Sequence, residues 1–156
     1  MAGAAAALLP ALPVLARSRP MLTIKEPSGT VRELTTEDIE ALPWQRIDTH
    51  TRWTEGVQSF RGPYLTDVLT SGGMSRADFA GHNLLMRALN DFGMVMPADD
   101  AWNFQPILAC EMNGKRMRVR DKGPIWLVFP RDQRIELQNS SMDARWIWQL
   151  FEIDVV

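Results

Sequence analysis

The chain has 156 residues, of which 46% are apolar and 23% charged, and its formal net charge is −2. This length and composition predict one domain with a sizeable core, and the near-neutral charge gives no basic field that would attract nucleic acid. The chain has a single cysteine, Cys110, which excludes an intrachain disulfide and any Cys/His metal-ligand cluster. Cys110 stands in an apolar run, which predicts a buried, inert thiol.

The first twenty residues differ in composition from the rest. Residues 1–16 are uncharged, rich in Ala and Leu and interrupted by Pro10 and Pro13, so we expect no transmembrane segment here. Val14-Leu15-Ala16 resembles the small-residue motif before a signal-peptidase cut, and we expect residues 1–20 to be an export signal. Residues 21–156 would then be a single domain in the periplasm or outside the cell. The alternative is that Met21 is the true start, which makes the protein cytoplasmic.

A hairpin and a short helix are predicted at the start of the domain. Pro27-Ser28-Gly29 separates Met21–Ile24 from Thr30–Leu34 and is typical of a hairpin turn. Thr35-Thr36-Glu37-Asp38 predicts a helix start, because a hydroxyl caps the first turn and the acids suit its dipole. Pro43 ends this helix.

The next segment, Arg46–Trp53, has the period of a strand with polar residues on both faces. Such a strand is expected to line a cleft or a sheet edge. His50, Arg52 and Trp53 offer two donors and a flat apolar wall, which suits a phosphorylated or heteroaromatic ligand. The alternative is a solvated edge strand.

Short helices and strands alternate through the middle of the chain. The predicted elements are an extended piece at Val57–Arg61, a helix with Leu65, Val68 and Leu69 on one face, a turn of helix capped by Ser75, a strand at Asn83–Leu89, a second strand ending at Met94–Pro97, and a helical turn or loop at Ala98–Phe104. Asn90-Asp91 interrupts the strand pattern, either as turn residues or as ligand contacts.

Asn113-Gly114 is the strongest hairpin signal in the chain, since both residues tolerate a positive φ. After it, the pattern predicts a strand that projects a basic stripe from one face: Arg116, Arg118, Arg120 and Lys122. The stripe is either a solvated strand face or an anion site. Ile125–Phe129 predicts a strand buried on both faces, and Arg145–Val155 predicts the closing strand.

These elements predict an α+β fold, a mainly β mixed sheet or barrel-like core with short helices. No P-loop, GxGxxG, HExxH or GxSxG motif is present, so the chain carries no self-contained catalytic motif.

The order and spacing of the pieces resemble the oxidoreductase molybdopterin-binding domain, which has the sulfite-oxidase fold, in its short stand-alone form. The resembling segments cover almost the whole chain from Met21: LTI…PSGTVRELTTEDIEALP, RIDTHTRWTEG, FRGPYLTDVLTSGG, ALNDFGMVMPADD, ILACEMNGKRMRVRDKGPIWLVFP and RWIWQLFEIDV. The resemblance implies a molybdopterin cofactor, oxygen-atom or electron transfer at molybdenum, and a redox partner protein.

The family holds its metal through the pterin dithiolene and one protein cysteine, whose place here is about Thr49–Arg52. This sequence has no cysteine there, and Thr or His is not an equivalent replacement for a soft thiolate. Resemblance and side-chain chemistry together predict a cofactor-binding site formed by His50, Arg52, Trp53, Asn90, Asp91, Arg120 and Lys122. Two functions remain open: a redox enzyme with an altered metal ligand, and a non-catalytic binding or accessory module without the metal.

Overall fold

The computed structural model describes residues 18–156, so the predicted export signal lies largely outside the described residues. Within that range we number eleven strands and four α-helices in chain order. The strands are β1 (Leu22–Lys25), β2 (Val31–Leu34), β3 (Trp44–Thr49), β4 (Gln58–Pro63), β5 (Asn83–Ala88), β6 (Gly93–Pro97), β7 (Ile107–Ala109), β8 (Glu111–Met112), β9 (Lys115–Arg116), β10 (Trp126–Val128) and β11 (Leu150–Val155). The helices are α1 (Thr36–Glu40), α2 (Leu65–Thr70), α3 (Asp100–Phe104) and α4 (Ser140–Asp143).

The strands form three sheets. The largest has the order β2-β1-β11-β5-β6, in which β1 and β11 are parallel and the other neighbours antiparallel. The second sheet has the order β3-β4-β8-β9, and β10 pairs with β7 in the third. No closed barrel forms among residues 18–156. The prediction of an α+β fold with a mainly β core and short helices is confirmed.

The core is centred on the β7–β10 pair. The predicted doubly buried run Ile125–Phe129 has no exposed side-chain surface, and the facing strand β7 is equally buried. Gly62 of β4 makes this packing geometrically feasible, because a β-carbon there would lie 1.9 Å from the carbonyl oxygen of Leu108. The second sheet can therefore approach the β7 backbone directly.

The N-terminal predictions are confirmed. β1 and β2 form the hairpin across Pro27-Ser28-Gly29. Thr35 caps α1 in a reciprocal box with Asp38, whose carboxylate accepts the Thr35 backbone N–H at 2.8 Å.

The polar strand is shorter than the sequence predicts. β3 ends at Thr49, so His50, Arg52 and Trp53 lie in the loop that follows and not on a strand. In this loop, backbone N–H groups donate to side-chain oxygens and not to a neighbouring strand. The Oδ2 atom of Asp132 accepts the backbone N–H of His50, and the hydroxyl of Thr51 accepts that of Trp53.

The Asn113-Gly114 turn is confirmed, since both residues have positive φ values of 52° and 79°. The predicted strand beyond it is wrong, because β9 ends at Arg116 and a 3₁₀ turn occupies Val119–Asp121. Arg118 begins this turn and donates from Nε to Asp121 Oδ2 at 2.6 Å. The four basic residues from Arg116 to Lys122 therefore do not share one strand face.

The closing strand begins at Leu150, later than predicted. Gln149 has a φ of 56°, a left-handed conformation that interrupts the extended backbone before β11. Trp146 and Trp148 thus precede the strand. No helix in residues 18–156 is long and apolar enough to cross a membrane.

Candidate functional site

Four tryptophans pack against one another at one side of the β7–β10 pair: Trp53, Trp126, Trp146 and Trp148. Five of their ring pairs have centroids between 5.3 and 6.2 Å apart in tilted or edge-on arrangements. Such arrangements are the favourable ones for aromatic rings. Trp126 and Trp146 are buried, and their indole N–H groups find no hydrogen-bond partner within residues 18–156. Trp53 and Trp148 are half-buried. The cluster therefore presents two partly open rings above a closed base.

A cavity of about 330 Å³ opens beside this cluster. We call it the Trp pocket; its lining residues are Trp53, Asn90, Phe92, Asp143, Ala144, Trp146, Ile147 and Trp148. The volume falls at the small end of the range of ligand sites, and aromatic walls with a few polar groups are typical of such sites. The pocket thus suits a small, flat molecule.

Gln149 fixes two loops around the Trp pocket. Its backbone N–H donates to the carbonyl oxygen of Lys122 at 3.1 Å, and its own carbonyl accepts the N–H of Leu89 at 3.0 Å. Its side-chain amide donates to the carbonyl of Val119 at 2.8 Å. The β5–β6 turn and the 119–122 loop are consequently held on either side of Trp148.

Lys122 places a cationic group against the aromatic wall of the pocket. Its Nζ atom lies 4.7 Å from the Trp148 ring centroid and 5.8 Å from that of Trp126, both within cation–π range. Lys122 forms no ion pair with any carboxylate in residues 18–156. Its charge is therefore available to an anion at the edge of the pocket.

The acidic residue of the pocket is neutralised within the protein. Asp143 is buried and accepts a hydrogen bond at 3.0 Å from Arg131 Nε. Because Arg131 pairs with Asp143, this carboxylate does not form an ion pair with Lys122.

Backbone strain is concentrated around this pocket. Three residues near the pocket have a positive φ: Lys122 at 76°, Gln149 at 56° and Asp91 at 66°. Gln149 bonds directly to Lys122, and Asp91 lies in the β5–β6 turn, which Gln149 holds through Leu89. Each such residue costs about 1–3 kcal/mol and persists where the surroundings hold it in place, often at functional sites. The strain is a second indication that this region is a site.

His50 and Asp132 form a separate pair. The Nδ1 atom of His50 lies 2.6 Å from Asp132 Oδ2, and the Asp132 N–H donates to the Thr49 hydroxyl. Burial raises the pKa of Asp132, but its hydrogen bonds with His50 outweigh this effect and the pKa is lowered overall. The neighbouring Arg131 contacts the pocket residue Asp143, so residues 131–132 join the loop after β3 to the pocket wall.

The structure brings together three of the predicted site residues. Trp53 and Asn90 line the Trp pocket, and Lys122 contacts its wall. The other four are exposed and outside its lining: His50, Arg52, Asp91 and Arg120. Sequence reasoning missed Phe92, Asp143, Trp146, Trp148 and Gln149 as site residues. The Trp-Ile-Trp spacing at 146–148 was the available signal, but we assigned it to strand packing.

The predicted burial of Cys110 is confirmed. The side chain is 1% exposed, and burial raises the pKa of its thiol to about 12. No group of three or more His, Cys, Asp or Glu residues in the range 18–156 is arranged to hold a metal. The aromatic walls and Lys122 fit the pterin part of the implied cofactor, whereas the donor set does not fit a metal bound by a protein thiolate.

Comparisons with known proteins bear on the fold. A scan of family models finds no match, and a search of curated proteins finds none either. Among solved structures, the sulfane dehydrogenase SoxCD from Paracoccus pantotrophus matches with a TM-score of 0.63 and 18% identity. The match covers 90% of this chain but 39% of that chain. The chain therefore has a fold like that of part of this dehydrogenase chain.

Proposed function

We propose that the Trp pocket binds a flat, anionic heteroaromatic molecule, and that the protein is a binding or accessory module of the molybdopterin-domain fold. The observation that carries this proposal is the unpaired ammonium of Lys122, 4.7 Å from the Trp148 ring centroid at the wall of a tryptophan-lined cavity. A flat ring stacks on indole, and an attached anion pairs with the ammonium. Both halves of the ligand then have a partner.

Molybdopterin is the candidate ligand within this chemical class. Trp53, Trp146 and Trp148 would enclose the ring system, Asn90 would hydrogen-bond its edge, and Lys122 would pair with its phosphate. A stacked base contributes roughly 1–3 kcal/mol in other aromatic sites. When loaded with molybdenum, the cofactor supplies oxygen-atom or electron transfer. This chain's residues bind and orient it and shield one side from water.

The cysteine chemistry favours a binding module over a thiolate-anchored enzyme. Cys110 is buried and protonated, and residues 49–52 contain no thiol. A redox enzyme whose metal is held by the pterin alone is the second candidate, and the fold shared with a dehydrogenase favours it. Export through residues 1–20 and a redox partner protein belong to the same proposal. Mass spectrometry of the protein from a periplasmic fraction tests the export signal by finding or not finding the cut near Ala16.

The test of function is the cofactor content of protein purified from a host that makes molybdopterin. Molybdenum is measured by elemental analysis, and pterin by its fluorescence after acid oxidation. We expect pterin in the wild type, less in Lys122→Met, and an unchanged amount in Lys115→Met, a matched change at an exposed lysine. Stoichiometric molybdenum would support the enzyme and contradict the metal-free module. Absence of both pterin and metal would contradict both candidates.

A further inference from the structure

β6 is an edge strand without the usual protection. It pairs with β5 on one side and is the last strand of the five-stranded sheet. Its five residues, Gly-Met-Val-Met-Pro, carry no charge. The exposed edges of the described sheets otherwise carry charged residues: Arg32 and Glu33 on β2, Arg46 and Asp48 on β3, and Lys115 and Arg116 on β9. Natural proteins use such charges to prevent edge-to-edge pairing, so β6 stands out.

Alternate residues of β6 form backbone hydrogen bonds with β5, and the residues between them direct their backbone N–H and C=O groups away from the sheet. The Ala98 N–H donates to the His82 carbonyl at 3.0 Å, and the Ala88 N–H to the Phe92 carbonyl at 2.9 Å. In an antiparallel ladder, the hydrogen-bonded pairs alternate with non-bonded ones. Met94 and Met96 therefore bond to β5. The backbone groups of Gly93, Val95 and Pro97 point away from the sheet, and they have no partner in residues 18–156.

We propose that β6 pairs antiparallel with β6 of a second copy of this chain, about a two-fold axis at Val95. The two Val95 residues would then exchange reciprocal N–H to carbonyl bonds. On either side, the Gly93 N–H of one copy would donate to the Pro97 carbonyl of the other. Pro97 has no N–H, and this pairing does not require one from it. The two five-stranded sheets would become one continuous sheet.

The strand is complementary to itself in side chains as well as backbone. Val95 is 57% exposed and would face the Val95 side chain of the other copy, while the absence of charge avoids like-charge repulsion. A symmetric interface of this kind closes with two copies and does not propagate.

Sedimentation velocity over a concentration series tests the proposal, with Val95→Lys as the disrupting change. Val31→Lys is the control, because Val31 is 56% exposed on the opposite edge strand β2. We expect wild type and Val31→Lys to become dimeric as concentration rises. The dissociation constant of Val95→Lys should increase by about tenfold or more, because two lysines would face each other. A wild type that stays monomeric, or equal effects of the two changes, would overturn the proposal.

Two further measurements keep the test independent of folding defects. Mixing Val95→Lys with Val95→Glu should restore a dimer, because opposite charges would then face each other across the axis. Amide exchange at Val95 should slow as wild-type concentration rises, whereas Met94 and Met96 should be protected at every concentration. A mixture that remains monomeric, or exchange at Val95 that is independent of concentration, would contradict pairing at this strand.

Discussion

The side chain and the backbone of Lys122 are both engaged by one short segment, Trp148-Gln149. The Nζ atom lies 4.7 Å from the Trp148 ring centroid, and the carbonyl oxygen accepts the backbone N–H of Gln149 at 3.1 Å. The same two residues thus fix where the loop runs and where its charge lies. The cation and the aromatic wall of the Trp pocket are therefore positioned as a unit.

Stability and binding should separate at Lys122. Its φ of 76° disfavours any side chain, and glycine adopts this conformation at little cost. We expect Lys122→Gly to raise the free energy of unfolding by roughly 0.5–1 kcal/mol, measured in urea, while pterin binding is lost. A loss of stability in Lys122→Gly would contradict this prediction, because the cation–π contacts of Lys122 would then outweigh the cost of its backbone conformation. Unchanged pterin binding would show that Lys122 does not contact the ligand.

The aromatic wall should be required for ligand binding. Trp148→Leu removes the ring that faces both Trp53 and Lys122, and we expect a loss of pterin affinity of at least tenfold, about 1.4 kcal/mol. Trp102→Leu is the control, because Trp102 packs on Phe79 outside the pocket lining. Fluorescence quenching on titration gives both affinities. Equal losses in the two variants would point to a general folding defect.

Cys110 should stay unreactive and make stability fall at high pH. The folded thiol has a pKa of about 12, against 9.0 for a free thiol. The unfolded chain therefore loses this proton first, and its contribution to stability is full below pH 9 and declines toward pH 12. Relative to Cys110→Ala, we expect the free energy of unfolding to decline by about 1.4 kcal/mol per pH unit in that window. Rapid labelling by a thiol reagent at neutral pH would contradict this burial.

Asp132 should stabilise the loop after β3 in a pH-dependent way. Its pKa lies below 3.8 in the folded protein, so its stabilising effect is present above that pH and is lost as pH falls through the folded value. We expect Asp132→Asn to cost about 1–2 kcal/mol at pH 7, from weakened bonds to His50, and less in acid. Asp91→Asn, at an exposed turn, should change stability by less than about 0.5 kcal/mol. If the loss of unfolding free energy in Asp132→Asn does not change with pH, the charge of the Asp132 carboxylate does not contribute to stability.

Local signals in the sequence predicted much of the fold. The capping residues at Thr35 and Asp38, the Asn113-Gly114 turn and the apolar run before Pro130 depend on near neighbours, and all three are confirmed. The predictions that were wrong were strands extended too far. In those places, side chains distant in sequence or a left-handed residue end the ladder: Asp132 at His50, and Gln149 before Leu150.

The pocket was harder to predict than the strands. Trp53, Asn90 and Lys122 are distributed over about 70 residues of chain. Gln149 holds the loops of Asn90 and Lys122 at the pocket, and Trp53 reaches it through ring contacts with Trp146 and Trp148. No periodicity in the sequence encodes that junction. Local chemistry selected three residues that lie at the Trp pocket, but it also selected Arg52 and Arg120, which lie outside its lining.

The most direct test of the proposed site titrates wild type and Lys122→Met, each with 6-carboxypterin and with pterin lacking the carboxylate. The two ligands differ only in the carboxylate, and the two proteins differ only in the Lys122 ammonium that we expect to pair with it. We predict that the carboxylate strengthens wild-type binding by about tenfold, or about 1.4 kcal/mol, and gives no advantage in Lys122→Met. An equal carboxylate effect in the two proteins, or no binding of either ligand to the wild type, would contradict the proposed site.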